Sequence, residues 1–155
     1  RLRAALDGLA RLAARGWRIV FPVHPRTLGN LRRFGLERAL LAIPQLVAIE
    51  PVGYFDFLVL EENAALIVSD SGGVQEESCV LGVPCATMRE STERTESVEI
   101  GASALVGYCV QALCDAATRL TEQRAPWVSP YGDGRAAERI VDTLLSADVS
   151  RKAAR

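Results

Sequence analysis

Residues 69 to 78 read SDSGGVQEES, an odd sequel to the apolar run ALIV: hydroxyls, an aspartate, two adjacent glycines, then two glutamates. An apolar run that ends this way reads as a strand delivering the chain to a tight turn and a new helix. The glycines let the backbone turn without a Cβ in the way. A helix starting here points free N–H groups outward, and with the helix dipole these accept an anion such as phosphate. Ser71 adds a hydroxyl donor beside Gly72 and Gly73. The same letters also describe an ordinary βα turn, with Ser71 as N-cap and Glu76 or Glu77 in a capping role. Spacing alone leaves both readings open. As a binding turn it must explain its acids, one of which could reach sugar hydroxyls, as an acidic residue does with ribose in dinucleotide sites. Neither G-x-G-x-x-G nor G-x-x-x-x-G-K-[ST] occurs, which argues against a dinucleotide fingerprint or a P-loop.

Two further segments carry chemistry-bearing side chains. FPVHPRT holds the only histidine, His24, followed closely by Arg26. Both could donate to phosphate oxygens, Arg26 with its planar fork. MRESTERTES crowds Arg89, Glu90, Thr92, Glu93 and Arg94 into one stretch. It reads either as a solvated, self-paired loop or as a clamp on a ligand.

The elements that would position these groups follow from periodicity and punctuation. Leu2, Ala5, Leu6, Leu9 and Ala13 recur at helical spacing, and Gly16 is a stop. WRIVF is a first strand ended by Pro22, and VHPRT a loop, because Pro25 biases His24 away from helical geometry. A short helix is expected over residues 28–39, and QLVAIE is a second strand. A turn and a helix containing Phe57, Leu58 and Leu60 run into the polar trio Glu61, Glu62 and Asn63. ALIVS is a third strand, short and apolar as buried parallel strands are. A helix over residues 74–81 stops at Gly82; VPCATM and SALVG are the remaining strands. Two amphipathic helices close the chain, the last lined by Ala137, Ile140, Val141, Leu144 and Leu145, with RAPWVSPYGDGR as the loop between them. Strands alternating with helices imply a parallel sheet covered on both faces, the doubly wound α/β class. Ligands of such sheets bind beyond the carboxyl ends of the strands, where all three segments lie.

Bulk properties narrow the function. The chain has 155 residues, 49% apolar and 24% charged, a globular composition for one domain. Eighteen basic against 19 acidic side chains point to neither nucleic acid nor a membrane surface. No apolar run approaches the ~20 residues of a membrane span, and no signal peptide is visible. Cys79, Cys85, Cys109 and Cys114 form no C-x-x-C pair and no zinc-like spacing with His24, so reduced thiols in a cytosolic compartment are expected. The chain opens inside a helix without an initiating methionine, and is expected to be a fragment.

In their order and spacing, FPVHPRT, PVGYFDFLVLEENAALIVSDSGGVQEESCVLGVPCATMRESTER and GASALVG resemble the non-hydrolysing UDP-N-acetylglucosamine 2-epimerases. The likeness covers about residues 15 to 108. It implies a Rossmann-like parallel sheet, one half of a GT-B-like two-domain fold, with a nucleotide-sugar held between the halves. This chain would be the carboxyl-terminal half, with residues 1–146 as the UDP-binding domain and 147–155 as a flexible tail. Carried across, Ser71, Gly72 and Gly73 meet the diphosphate, Glu77 holds the ribose hydroxyls, and His24 lies against the phosphates. Phe57 stands near the uracil, with core packing as its alternative. Glu93 and Arg94 fall in the family's TERPE loop, which here reads TERTE, with Thr95 where proline is usual. Proline fixes φ, so the change bears on the pose of the loop and not on the fold.

The activity implied is interconversion of UDP-GlcNAc and UDP-ManNAc by anti elimination of UDP and readdition, with no nicotinamide or metal cofactor. The family's catalytic carboxylates belong to the amino-terminal half, so none is expected here; His24 is at most a stabiliser of the leaving group. The resemblance implies a UDP-sugar, the amino-terminal domain and a second copy in a homodimer as partners, in the cytoplasm. A GT-B glycosyltransferase and a hydrolysing UDP-GlcNAc 2-epimerase are the alternatives on the same fold.

Overall fold

Leu, Ala and Arg are strong helix formers, and they build α1 (Leu2–Ala14), which turns Leu6, Leu12 and Ala13 inward and ends ahead of Gly16. The structure is a computed structural model that describes residues 1–122 and 126–153. After α1 the chain forms β1 (Ile19–Pro22), α2 (Pro25–Arg33), α3 (Glu37–Leu41), β2 (Leu46–Ile49), α4 (Tyr54–Glu62) and β3 (Ile67–Ser69). It continues with α5 (Gly72–Val80), β4 (Cys85–Thr87), α6 (Thr95–Glu99), β5 (Ser103–Leu105), α7 (Val110–Glu122) and α8 (Ala136–Ala153). The strand and helix alternation read from the sequence is present throughout.

Several boundaries differ from the sequence expectation, each for a local reason. Pro25 does not sit in a loop but opens α2, where its missing N–H costs no hydrogen bond. His24 keeps the extended geometry expected before proline, with φ −58° and ψ 141°. The helix expected over residues 28–39 is two helices, because Gly35 takes φ +65° in the left-handed region and ends α2. Gly72 and Gly73 form the first turn of α5 and do not precede it. The short helix α6 was not foreseen. Residues 147–153, expected as a flexible tail, are the continuation of α8; residues 154–155 lie outside the described residues, as do 124 and 125 of the last loop.

All strand pairs are parallel, in a two-stranded sheet β1–β2 and a three-stranded sheet β3–β4–β5. Central β4 is fully buried. The first sheet departs from the expectation of cover on both faces. Val20 and Val47, paired in register, are 53% and 57% exposed, because α2 and α3 pack on the opposite side. One apolar cluster packs α1 and α7 on the second sheet, through Leu12, Ala86, Ala104, Leu113 and Leu120. Another packs α1, α2 and α3 on the first sheet, through Leu6, Leu31 and Leu40. Ile19 touches both. Gly8 allows the close crossing of α1 and α7, since a Cβ there would stand 2.7 Å from Leu113 Cδ2.

The apolar residues expected to line the last helix fall on α8, but that face is not buried. Ile140, Val141, Leu144 and Leu145 are all more than half exposed. The cysteines are free, with Cys79, Cys85 and Cys114 buried and Cys109 exposed. No helix among the described residues is long and apolar enough to cross a membrane.

Glu61, of the polar trio, is 3% exposed, and neither carboxyl oxygen finds a hydrogen-bond partner among the described residues. A buried, unpaired carboxylate is costly, so the neutral form is favoured. Burial first, and the nearby Glu77 second, push its carboxyl up from 4.5 to about 7. Below pH 4.5 both folded and unfolded states are protonated and no penalty exists; from there to pH 7 the unfolded chain ionises first and stability falls. The loss amounts to about 3 kcal/mol. Replacing Glu61→Leu should therefore raise the melting temperature by several degrees at pH 8 and by much less at pH 4.5. Equal gains at both pH values in a thermal scan would show that ionisation of Glu61 is not the cost.

Candidate functional site

Parallel strands leave all their carboxyl ends on one edge of a sheet, so the turns after β3 and β4 are neighbours. After β3, Ser69 Oγ accepts from Ser71 N–H at 3.1 Å and holds the turn. Ser71 is the N-cap of α5, its Oγ accepting from Val74 N–H at 3.4 Å. Capping and anion binding, left open by the sequence, are compatible here. The cap uses Val74, while the N–H groups of Gly72 and Gly73 have no acceptor among the described residues.

The loop after β4 folds over this helix start. Arg89 Nη1 donates to both carboxylate oxygens of Glu93, at 3.3 and 3.1 Å. Arg94 Nη1 lies 3.4 Å from Glu93 Oε1, and Arg94 Nε is paired with Glu76. A Cβ on Gly72 would stand 3.0 Å from Glu93 Oε1 and 3.8 Å from the guanidinium carbon of Arg94. The lack of a side chain at 72 is what lets the charged loop approach so closely.

Gln75 holds the loop there, and sequence reasoning missed it. Its side chain is fully buried. Nε2 lies 2.7 Å from Ser97 Oγ, 3.0 Å from Ser103 Oγ and 3.2 Å from the Arg94 carbonyl. Oε1 accepts from Thr92 Oγ1 at 2.8 Å, and Thr92 Oγ1 accepts in turn from Arg94 N–H at 3.1 Å. Helix α5, the loop and β5 thus share one buried carboxamide. A signal for it existed: Gln75, Ser78 and Cys79 fall at i, i+3, i+4 and all are buried, one helix face.

The acids divide. Hydrogen bonds from its own backbone N–H and from Arg89 hold Glu93 below the usual carboxylate range. Glu77, half-buried, is pushed up by burial and then by Glu76. Glu76 is committed to Arg94, which leaves Glu77 as the glutamate of the pair without an ion-pair partner among the described residues.

His24 and Arg26 stand at the end of β1, in the other sheet. His24 Nδ1 accepts from Arg26 N–H at 3.2 Å as the cap of α2. That bond assigns the proton of a neutral imidazole to Nε2, which remains as a donor. Both residues are exposed and neither bonds to the Ser71 or Arg94 segments. Phe57 is half-buried on α4 and joins none of the three apolar clusters. The structure therefore joins Ser71, Gly72, Gly73, Glu93 and Arg94 directly, and leaves His24, Arg26 and Phe57 on separate elements.

Parallel strands, helix crossovers and a glycine-started helix at the carboxyl edge define a Rossmann-like α/β half of GT-B-like architecture. The crystal structure of Methanocaldococcus jannaschii UDP-GlcNAc 2-epimerase in complex with UDP-GlcNAc and UDP matches 94% of this chain and 40% of its own, with a TM-score of 0.86 and 43% identity. The Neisseria meningitidis UDP-GlcNAc 2-epimerase bound to UDP-GlcNAc matches 94% of this chain and 40% of its own, with a TM-score of 0.82 and 33% identity. In sequence, the M. jannaschii UDP-N-acetylglucosamine 2-epimerase is 48% identical over 126 residues, which is 81% of this chain and 34% of the relative. That of Methanococcus maripaludis is 44% identical over 127 residues, 82% of this chain and 35% of the relative. The family model described as UDP-N-acetylglucosamine 2-epimerase matches residues 1–145. The chain belongs to the UDP-N-acetylglucosamine 2-epimerase family, and spans about a third of the length of these curated relatives.

Replacing Gln75→Leu keeps the helix but takes one buried hydrogen-bond partner from each of Thr92, Ser97 and Ser103. Unfolding by urea should show a loss of about 2–4 kcal/mol. A loss below about 0.5 kcal/mol, the range of an ordinary surface change, would mean that the network does not hold the loop.

Proposed function

We propose that this chain is the UDP-binding half of a non-hydrolysing UDP-N-acetylglucosamine 2-epimerase, whose complete polypeptide interconverts UDP-GlcNAc and UDP-ManNAc. The observation that carries the reading is the start of α5, where the amides of Gly72 and Gly73 have no acceptor among the described residues and the Arg94 guanidinium lies beside Gly72. Membership of the family supports it.

In the proposed elimination the anomeric C–O bond breaks with loss of the C2 proton, giving a 2-acetamidoglucal and UDP. Readdition returns the proton to the opposite face of C2 and the phosphate oxygen to C1. Atoms and electrons balance without oxidant or reductant. The charge that develops on the departing diphosphate is stabilised by fixed donors: Ser71 Oγ–H, the amides of Gly72 and Gly73, and the guanidinium of Arg94. His24 offers Nε2–H from the β1 side, with Arg26 beside it, as a stabiliser of the same leaving group. Glu77 accepts from the ribose hydroxyls, and Phe57 lies toward the uracil. Proton transfer at C2 needs separate acid–base groups, and these belong to an amino-terminal domain that closes the cleft. The active species in this reading is a homodimer of the complete polypeptide. Four free cysteines suit a reducing, cytoplasmic setting.

The complete polypeptide incubated with UDP-GlcNAc in deuterated water should incorporate deuterium at C2 and yield UDP-ManNAc. No exchange without an added acceptor would favour glycosyl transfer, and free ManNAc with UDP would mark hydrolysis. Replacing Ser71→Ala should weaken UDP binding about fivefold, the worth of one hydrogen bond of ~1 kcal/mol. Unchanged affinity in a calorimetric titration would remove Ser71 from the site.

A further inference from the structure

Arg89 entered the sequence reading only as one residue of a loop that could clamp a ligand. Its backbone is fixed at the end of β4, its N–H donating to the Thr87 carbonyl and its own carbonyl accepting from Gly107 N–H. Its side chain turns toward the start of α5, with Nη1 3.8 Å from the position of a Cβ on Gly72. There it converges with Arg94 on a single acceptor, Glu93 Oε1, which lies 3.3 Å from Arg89 Nη1 and 3.4 Å from Arg94 Nη1. Two guanidinium groups and a helix N-terminus around one anionic oxygen is the arrangement that binds phosphate. Here a carboxylate of the same loop occupies it.

The charges make this placement consequential. Arg89 and Arg94 are matched by Glu93 and Glu76, so the cluster has no net charge while all four remain paired. A diphosphate brought to Gly72 would meet Glu93 at close range, and like charges repel. Glu93 is about half exposed, so it can leave for water without giving up buried contacts. Arg89 is only one-third exposed and is tied to the strand end through its backbone. The mobile member of the pair is therefore the acid.

We propose that Arg89 is a further diphosphate-binding residue, and that Glu93 occupies the anion position on Arg89 and Arg94 until the diphosphate takes its place. This rests on the UDP-binding reading above and alters the part of Glu93 in it: Glu93 is exchanged by the ligand and does not hold it. The exchange lowers affinity for UDP and leaves the nucleoside end untouched. It also keeps the guanidinium groups oriented between turnovers, because Glu93 holds them where the phosphates arrive.

The test is calorimetric titration of the complete polypeptide with UDP and, separately, with uridine, which lacks the diphosphate. Replacing Glu93→Gln removes the competing charge at nearly constant shape. UDP affinity should rise about fivefold, the equivalent of an exposed ion pair of ~1 kcal/mol, while uridine affinity stays the same. Replacing Arg89→Ala should weaken UDP and leave uridine unchanged. Weaker UDP binding by the Glu93→Gln protein would overturn the exchange and make Glu93 a ligand-holding residue. An equal gain for UDP and uridine, or an Arg89→Ala protein with unaltered UDP affinity, would overturn it too. If the unaltered protein binds UDP no better than uridine, the diphosphate reading itself falls and the exchange with it. That outcome is distinct from the others.

Discussion

The side-chain amide of Gln75 is the constraint on which the site depends. A buried carboxamide must find partners or carry a large penalty, and Gln75 meets that demand with groups from the 92–97 loop and from β5. Because Gln75 belongs to the first turn of α5, satisfying it also brings the charged loop onto the helix start. Stability and site geometry are thus consequences of one requirement. The same network fixes the loop at Thr92, Arg94 and Ser97. Thr95 opens the short helix α6, whose Ser97 returns to Gln75.

Electrostatics around this corner are arranged by pairing and by burial, and the two work in opposite directions. Glu76 and Glu93 are paired with arginines, which ties the loop to the helix, and hydrogen bonds hold Glu93 below the usual carboxylate range. Glu77 and Glu61 have no such partner and are pushed toward the neutral form by loss of water. Neighbouring residues of one helix, Glu76 and Glu77, therefore present different chemistry to the same cleft. A sequence shows two identical letters; the environment makes one a structural charge and the other a hydrogen-bonding group.

The α/β alternation, the parallel order and the tight turn from β3 into a helix were legible because each has a local cause. Apolar runs of strand length and a glycine pair after a strand act over a few residues, whereas Pro25, read as part of a loop, opens α2. What was not legible depends on contacts distant in sequence. Gln75 is separated by 22 residues from Ser97 and by 28 from Ser103, so nothing near it in the chain announces its role. Glu61 follows apolar residues of α4 and precedes exposed Glu62, and nothing in those letters tells the buried glutamate from its neighbour. The apolar stripe of α8 was read from periodicity alone, and periodicity reports that a face is suited to burial and not what lies against it. Membership of the family rests on ordered motifs and on overall similarity, both of which outlast such local misreadings.

The division of the strands into two sheets has a bearing on the cleft. His24 ends a strand of one ladder and Ser71 follows a strand of the other, with no backbone hydrogen bond joining β1 to β3 among the described residues. Their spacing is set through side-chain contact, by Ile19 where the two apolar clusters meet and by α1, which packs on both. Dispersion contacts adjust to small slides far more readily than a hydrogen-bonded register does. The gap between the imidazole and the serine corner can therefore be widened or narrowed by trimming or enlarging methyl groups in the interior, without touching a polar atom that faces the ligand.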